Sequence, residues 1–572
     1  MTALNTTMLT LVELLNPLVG GDVVSLEETH GGVYAAANPL KIVGLLTQLR
    51  DDARFSFDML VDIVGVDASG LGGVDRFQVV YILASTAKNF RLSVNVRTSA
   101  EKPEIPSVHA VYAVADWLER EVYDQFGIVF IGHPNLKRLL NFKDFVGHPL
   151  RKDFPIDGRQ KVPESEDLHD EMKVKLERRG RAFSSMRIGE YGGEHGEGEE
   201  TGDDPFIVNL GPAHPIVHGI LRLLLAVEGE TIVAAVPELG YLHRGVEKSM
   251  ESGNYHQVIP YTDRLNYASP MMNNIGYCKA VEKMLGIEIS ERDALLRVIL
   301  CELGRIMDHL LCTGPHLVDL GALTPFWYLF QVREKIYDIM EKYSGVRLTY
   351  SCVRIGGFPF PLYNGFFDDV ESVLKDLMPA IDDVRRLVER NRIFYDRCCK
   401  VGAISSAEAL RHGFTGPCLR ATGYDYDLRK NRPYYSYDTF DFSVVVGTNG
   451  DTYDRFFVRV YEMIESAKII RQAIARYKAL SSEPAALEAK KSKGFKKVAP
   501  PAGALYDSSE VANGELGYYI VSDGSAKPYR IKVRSPSLCN YSAIESMVEG
   551  AMIADLVSII GSLNVIGGEI DR

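Results

Sequence analysis

The sequence predicts an α+β chain, with a small α/β unit at the N-terminus joined to a mainly helical unit that carries small β-sheets. Three observations lead there. Strand-like runs and one helix crowd residues 1–160, apolar patterns of helical period fill the second half, and two breaks in composition separate the parts.

In the first unit, Phe77-Gln78-Val79-Val80-Tyr81-Ile82-Leu83 and Phe90 to Val96 are rich in β-branched and aromatic residues, as strands are. Val111 to Phe126 reads as a helix, which suits a small α/β sandwich. Between about Gln160 and Asp204 the text turns charge-rich and then Gly/Glu-rich, too poor in apolar area to order itself. Residues 161–204 are therefore expected to be a flexible charged linker. The second unit, 205–572, opens with Ile220 to Val227 as a strand, Glu228-Gly229-Glu230 as a turn and Thr231 to Val236 as the returning strand. Helical period then dominates Arg292 to Cys312, Gln331 to Tyr343, Phe367 to Asn391 and Arg455 to Leu480. A Lys/Ala/Pro stretch from Ser481 to Ala504 reads as a solvated loop. Leu516 to Val521, a turn at Ser522 to Ser525, and Tyr529 to Arg534 read as a hairpin before a final helix.

Composition narrows the function. With 64 Lys+Arg against 76 Asp+Glu in 572 residues the net charge is −12, which argues against a general nucleic-acid binder. The longest uncharged apolar stretches, such as Leu556 to Gly568, fall short of the ~18 to 20 residues of a membrane helix. The N-terminus has no basic segment and meets Glu13 early, so no secretory signal is expected. Eight cysteines include no Cys-x-x-Cys pair, which disfavours zinc ribbons, iron-sulfur sites held by this chain alone and a disulfide framework. Nucleotide-cradling loops, zinc-peptidase motifs and the serine-hydrolase elbow are also missing.

Chemistry is thus left to sparser constellations. Asn209 to Gly219 holds two histidines, His214 and His218, in a Gly/Pro-punctuated loop before a strand. Such rings suit a loop that faces a cavity, and equally a hydrogen-bonded structural role. Ile259 to Tyr267 combines phenols with Arg264, although tyrosines there also suit a core. Asp319 follows a helix amid apolar residues, where an acid can also serve as a boundary cap.

Longer motifs carry a resemblance. His214 to Gly219, Pro237-Glu238-Leu239-Gly240-Tyr241-Leu242-His243-Arg244-Gly245-Val246-Glu247-Lys248, Arg354-Ile355-Gly356-Gly357, Thr415 to Gly423 and Gly517 to Gly524 resemble the 49-kDa (D) subunit of respiratory complex I, from about Pro205 to Arg572. The first unit resembles the 30-kDa (C) subunit through Trp117-Leu118-Glu119-Arg120-Glu121-Val122-Tyr123-Asp124-Gln125-Phe126-Gly127 and Gly147 to Pro155. The order is that of the fused C/D subunit of some bacterial NADH:quinone oxidoreductases.

The resemblance implies a subunit of a proton-pumping enzyme, on the cytoplasmic side of the bacterial inner membrane, that helps form a quinone-reduction site. It places His218 and Tyr267 at the quinone headgroup and Asp319 beside His218, where a carboxylate would favour the imidazolium. His214 lies in the same loop, and Arg264 matches an arginine beside the terminal 4Fe-4S cluster of a neighbouring subunit. That cluster and FMN belong to partners, and this chain holds no cofactor alone. Thr349 replaces a family histidine tied to the cluster's pH dependence, and Asn266 and Asn564 stand where many relatives have Asp. The D subunit is related to the large subunit of nickel-iron hydrogenases, but Pro260 to Tyr267 and Asn564 to Glu569 contain none of the cysteines nickel would need. The alternatives are a non-catalytic scaffold, or a related complex with a donor other than NADH.

Overall fold

The structure is a computed structural model that describes residues 3–72, 75–158, 160–161, 168–178, 205–214, 219–480 and 498–572. The N-terminal helix α1 (Ala3–Leu15) precedes β1 (Val23–Thr29), β2 (Gly32–Ala37), α2 (Ile42–Asp51), β3 (Met59–Asp67), β4 (Phe77–Ser85) and β5 (Phe90–Thr98). These strands form one sheet in the order β1-β2-β5-β4-β3, antiparallel except for the β2/β5 pair. β6 (Glu104–Pro106) and β7 (Val129–Ile131) make a small parallel pair. β3 is buried at every position because α3 (Ala115–Phe126) packs on it and the second unit covers the sheet. The two expected strands are β4 and β5. The expected helix at Val111 starts later, at Ala115, and the Val114 amide donates to the Arg411 carbonyl of the second unit at 3.0 Å.

Within the expected linker the structure differs at residues 168–178. His169–Arg178 forms α4, and Leu168, Met172 and Leu176 recur every four residues as a narrow buried stripe. They pack on one face of β9 (Arg222–Glu228) and β10 (Thr231–Glu238), which pair antiparallel, with β8 (Phe206–Leu210) beyond β9. Glu171 accepts from Asn135 of the first unit at 2.9 Å, and Lys175 donates to the Ala235 carbonyl of the second at 2.8 Å. Residues 179–204 and the Lys/Ala/Pro stretch 481–497 lie outside the described residues.

The second unit continues through α5 (Val246–Ser252), α6 (Tyr255–Thr262), α7 (Pro270–Leu285), α8 (Glu291–Asp319), α9 (Leu323–Ser344), α10 (Phe366–Val388) and α11 (Arg392–Cys398). Short turns of helix lead to a long helix at Thr452–Ala479, which packs along α8. The expected end of α8 at Cys312 is passed, because His316 and Leu317 are buried and the His316 ring packs edge-on against Phe456 at 5.8 Å. Tertiary contact carries the helix through Pro315. The expected hairpin is β12 (Gly514–Ser522) with β13 (Arg530–Arg534), and β11 (Gly503–Val511) adds a third antiparallel strand. In place of one final helix there are four short ones, ending with Asp555–Leu563 and Gly567–Asp571. No described helix is long and apolar enough to cross a membrane.

Candidate functional site

The turn between α6 and α7 is built around one buried carboxylate. α6 opens with a capping box between Asn254 and Gln257, and α7 starts at Pro270, whose fixed φ suits a first helical position. Between them Leu265, Asn266, Ala268 and Ser269 are buried, while Arg264 and Tyr267 face outward. Asn266 Nδ2 donates to Asp308 of α8 at 2.7 Å and Ser269 Oγ donates to the same oxygen at 2.8 Å. The other Asp308 oxygen accepts from Asn564 Nδ2 at 2.8 Å. One fully buried acid therefore ties together the Tyr267 turn, a central helix and the C-terminal segment. Removing such an acceptor would strand three buried donors, each worth ~1 to 3 kcal/mol of desolvation.

The network extends beyond Asp308. Asn564 Nδ2 also donates to Asn513 Oδ1 at 2.6 Å, and Asn513 Nδ2 reaches Glu569 at 3.3 Å. Burial pushes the Glu569 carboxyl up to about 7, although Ser537 and Asn513 donate to it. On α8 itself His309 Nε2 faces Glu462 at 2.9 Å, and burial lowers the imidazole against the pull of that carboxylate. Arg420 bridges Glu462 and Glu510 at 2.8 Å each, and its charge, together with His309, holds Glu462 down to about 2 despite full burial.

Tyr267 is 38% exposed, and burial together with the Asp308 charge raises its phenol above the ordinary value. Both effects disfavour the phenolate, so the hydroxyl is kept as a hydrogen-bond donor at neutral pH. Arg264 is exposed and lies 3.6 Å from Asp263, whose carboxyl burial pushes up to about 6 against the arginine's opposing charge. Asp319 is the last residue of α8, exposed, and eleven residues beyond Asp308, ~16 Å along the axis at 1.5 Å per residue.

His214 follows β8 across a cis Gly211-Pro212 bond and is half-buried. Gly211 has φ 93°, and a Cβ there would stand 1.9 Å from the Leu221 carbonyl, so only glycine fits. A bridge between Ala213 and Ile220 closes the loop, whose residues 215–218, His218 included, lie outside the described residues. The C-terminal helix braces the other side. A Cβ at Gly568 would lie 2.5 Å from the Arg264 carbonyl, so this glycine lets the helix press against the Arg264 turn. Asp571 then accepts from the amides of Gly240 and Leu242 at 2.9 and 2.7 Å, and the His243 imidazole donates to its carbonyl at 2.7 Å.

Of the residues singled out from sequence, the structure brings Arg264 and Tyr267 into one turn and puts Asp319 on the helix that anchors it. Asp308, Asn513 and Glu569 are not marked by local pattern, because they lie far apart in the chain and only the fold brings them together. A usable signal was present in α8, where Glu302, Arg305, Asp308 and His309 occupy a helix of otherwise apolar rhythm and all four are buried. The two replacements Asn266 and Asn564 both serve as donors to Asp308, where a carboxylate would repel it. Among the described residues no group of His, Cys, Asp or Glu is placed to hold a metal ion, and all eight cysteines are free thiols.

Two family profiles match the chain. One, described as the respiratory-chain NADH dehydrogenase 30 Kd subunit, covers residues 35–160, and the other, described as the 49 Kd subunit of the same enzyme, covers 319–572. The C/D subunit of the NADH-quinone oxidoreductase of Bdellovibrio bacteriovorus is 43% identical over 546 residues, 92% of this chain and 93% of that protein. The D subunit of the Geotalea uraniireducens enzyme is 46% identical over 382 residues, 64% of this chain and 98% of its own length. A C/D subunit of Aquifex aeolicus, the one numbered 2, is 39% identical over 87% of this chain and 89% of its own. The chain therefore belongs to the fused C/D subunits of NADH-quinone oxidoreductase, respiratory complex I, and acts as an oxidoreductase subunit within that complex.

Proposed function

We propose that the Tyr267 turn, the His214 to His218 loop and Asp319 form part of the quinone-reduction site of the complex. The observation that carries this reading is Tyr267: a partly exposed phenol, kept protonated, on a turn fixed from below by Asp308. Quinone reduction takes up two electrons and two protons, and this chain's part is to orient the headgroup and supply hydrogen bonds and protons. Tyr267 donates to one carbonyl oxygen of the quinone, and can release its proton only as charge develops there. His218 serves the other end, with Asp319 favouring its charged form. His214 helps shape the same loop.

In this reading electrons arrive from a 4Fe-4S cluster in a neighbouring subunit, beside which Arg264 supplies a fixed positive charge, and FMN sits further upstream in another partner. Residues 1–160 and 205–572 act as two units joined through 161–204, and the helical unit shares ancestry with the nickel-iron hydrogenase large subunit. The chain sits peripherally on the cytoplasmic side of the inner membrane, against membrane-arm subunits. Tyr267→Phe in the assembled complex removes only the hydroxyl. Quinone reductase turnover should fall at least roughly tenfold, about 1.4 kcal/mol of transition-state stabilisation, while NADH still reduces the cluster as followed by electron paramagnetic resonance. Unchanged turnover with several quinones would refute the assignment.

A further inference from the structure

A cavity of about 400 Å³ lies between the two units, and no residue of the Tyr267 turn lines it. It is walled by α1 and β5 on one side and by α7, β11 and the Arg432 to Tyr435 segment on the other. That volume falls in the range of roughly 300 to 1,000 Å³ typical of small-molecule sites. Its chemistry is one-sided. Four cations line it, Arg91, Lys279, Lys283 and Arg432, and Asp507 is the one carboxylate among the lining residues.

The available carboxylates are already engaged. Asp507 is shared, accepting from Lys279 and, at 3.1 Å, from Lys283. These two ammonium groups hold it down to about 2 in spite of burial. Arg91 pairs with Glu515, which stands behind it at 3.0 Å. Arg432 has no carboxylate within ion-pair reach among the described residues, and its contact is the Asn89 carbonyl at 3.4 Å. Burial and the facing Arg91 both press its guanidinium toward the neutral form. Two positive charges are thus left over among these cations, of which Arg432 is half-buried and Lys283 exposed, and a bound dianion would neutralise them. The aromatic walls supply a second clue. Lys279 sits over the Tyr434 ring at 4.9 Å and Arg91 over the Tyr506 ring at 5.7 Å, so the cations are held in place by packing and are not free to swing into solvent.

We propose that this cavity binds a phosphoryl dianion, gripped by Arg432 and Lys283 and backed by Arg91 and Lys279, which bridges the N-terminal and C-terminal units. The planar fork of Arg432 matches two oxygens of a tetrahedral phosphoryl group, and Lys283 adds a point charge. The group can belong to free phosphate or to a phosphate monoester whose organic part rests against Tyr434 and Tyr506. The ligand spans both units, so its binding favours the assembled arrangement by mass action.

The test uses the full chain in phosphate-free buffer at low ionic strength, titrated with inorganic phosphate, AMP or malonate, with isothermal titration calorimetry and the thermal midpoint as readouts. Phosphate or AMP should bind and raise the midpoint, and Arg432→Gln and Lys283→Gln should each weaken binding at least about tenfold. Tighter binding of phosphate identifies the free ion, and tighter binding of AMP identifies a monoester. Arg432→Gln removes a half-buried cation that has no carboxylate partner, so without ligand it should fold at least as stably as the parent chain, which separates lost binding from lost folding. Arg347→Gln, at an exposed cation paired with Glu334, Asp338 and Glu341, should bind as the parent does. Three results would overturn the proposal: no binding of phosphate or AMP up to about 10 mM, equal binding by Arg432→Gln, or tighter binding of malonate than of either phosphoryl ligand.

Discussion

The β8-β9-β10 sheet and the β11-β12-β13 sheet each have three strands, all antiparallel, yet they bury opposite chemistry. In β9 the odd positions Leu223, Leu225 and Val227 enter the main core and the even positions Leu224 and Ala226 meet α4, so both faces are aliphatic. In β13 the alternation is instead Arg530, Lys532 and Arg534 on one face, with Ile531 and Val533 on the other, and all five are buried. The cationic face is the seam between the units. Lys532 meets Glu121 of α3, Arg530 reaches the Gly65 carbonyl of β3 at 3.2 Å while pairing with Glu247 of its own unit at 2.7 Å, and Arg534 reaches the Val61 carbonyl of β3 at 3.2 Å. Arg572 completes the group on Glu121 and Glu247. An aliphatic face adheres to any apolar surface of fitting shape, whereas buried cations accept only a partner with carboxylates in register. The second kind of contact fixes how the two units sit on each other.

The largest expected effect breaks the charged seam. Lys532→Met leaves Glu121 and Glu247 buried with one cation fewer, and should cost about 3 to 5 kcal/mol in denaturant unfolding of the full chain. Adding Glu121→Leu restores the charge balance and should recover much of that loss. A double variant no better than the single would mean that packing, and not charge, governs the seam. Next comes the aliphatic sheet. Leu225→Ala should cost about 3 kcal/mol through a cavity, with no charge substitution able to rescue it.

The smallest effect is the change with pH between 7 and 5 in the β11-β12-β13 sheet, read as amide exchange protection of β12 and β13. Glu515 and Glu247 are held at about 2, mainly by Arg91 and by Arg530 respectively, against their burial. Their unfolded value is about 4.3, so the stability they lend is fully present above it and is lost as pH falls through the folded values. Protection from these groups should change by less than about 0.5 kcal/mol between pH 7 and 5 and collapse below about pH 4. The β9 core, built of Leu, Val and Ala, should not follow that acid step. A parallel loss in both sheets would show that they unfold as one unit.

Local pattern made much of this molecule legible. Runs rich in β-branched, aromatic and aliphatic residues marked β4, β5 and the β9/β10 hairpin, because such side chains pack well on a pleated sheet, and period 3.6 marked α8, α9, α10 and the Thr452–Ala479 helix, because that period follows from backbone geometry. Tyr267, Arg264 and Asp319 came as candidates from the resemblance to the 49-kDa subunit, which periodicity by itself does not supply. The α4 stripe was overlooked because three apolar residues in a charged stretch become a helix only when β9 and β10 offer a face to cover.

What the sequence by itself determined, then, was the type of most elements, and the family through its long motifs. Only the tertiary structure decided which polar residues are buried and against what. Alternating Arg530, Lys532 and Arg534 looks the same in one dimension whether it faces water or a carboxylate seam, and Asp308 looks like any helix acid until Asn266, Ser269 and Asn564 converge on it. The physical reason is range. Periodicity depends on bonds a few residues apart, while the cost or benefit of a buried charge depends on partners brought from distant parts of the chain.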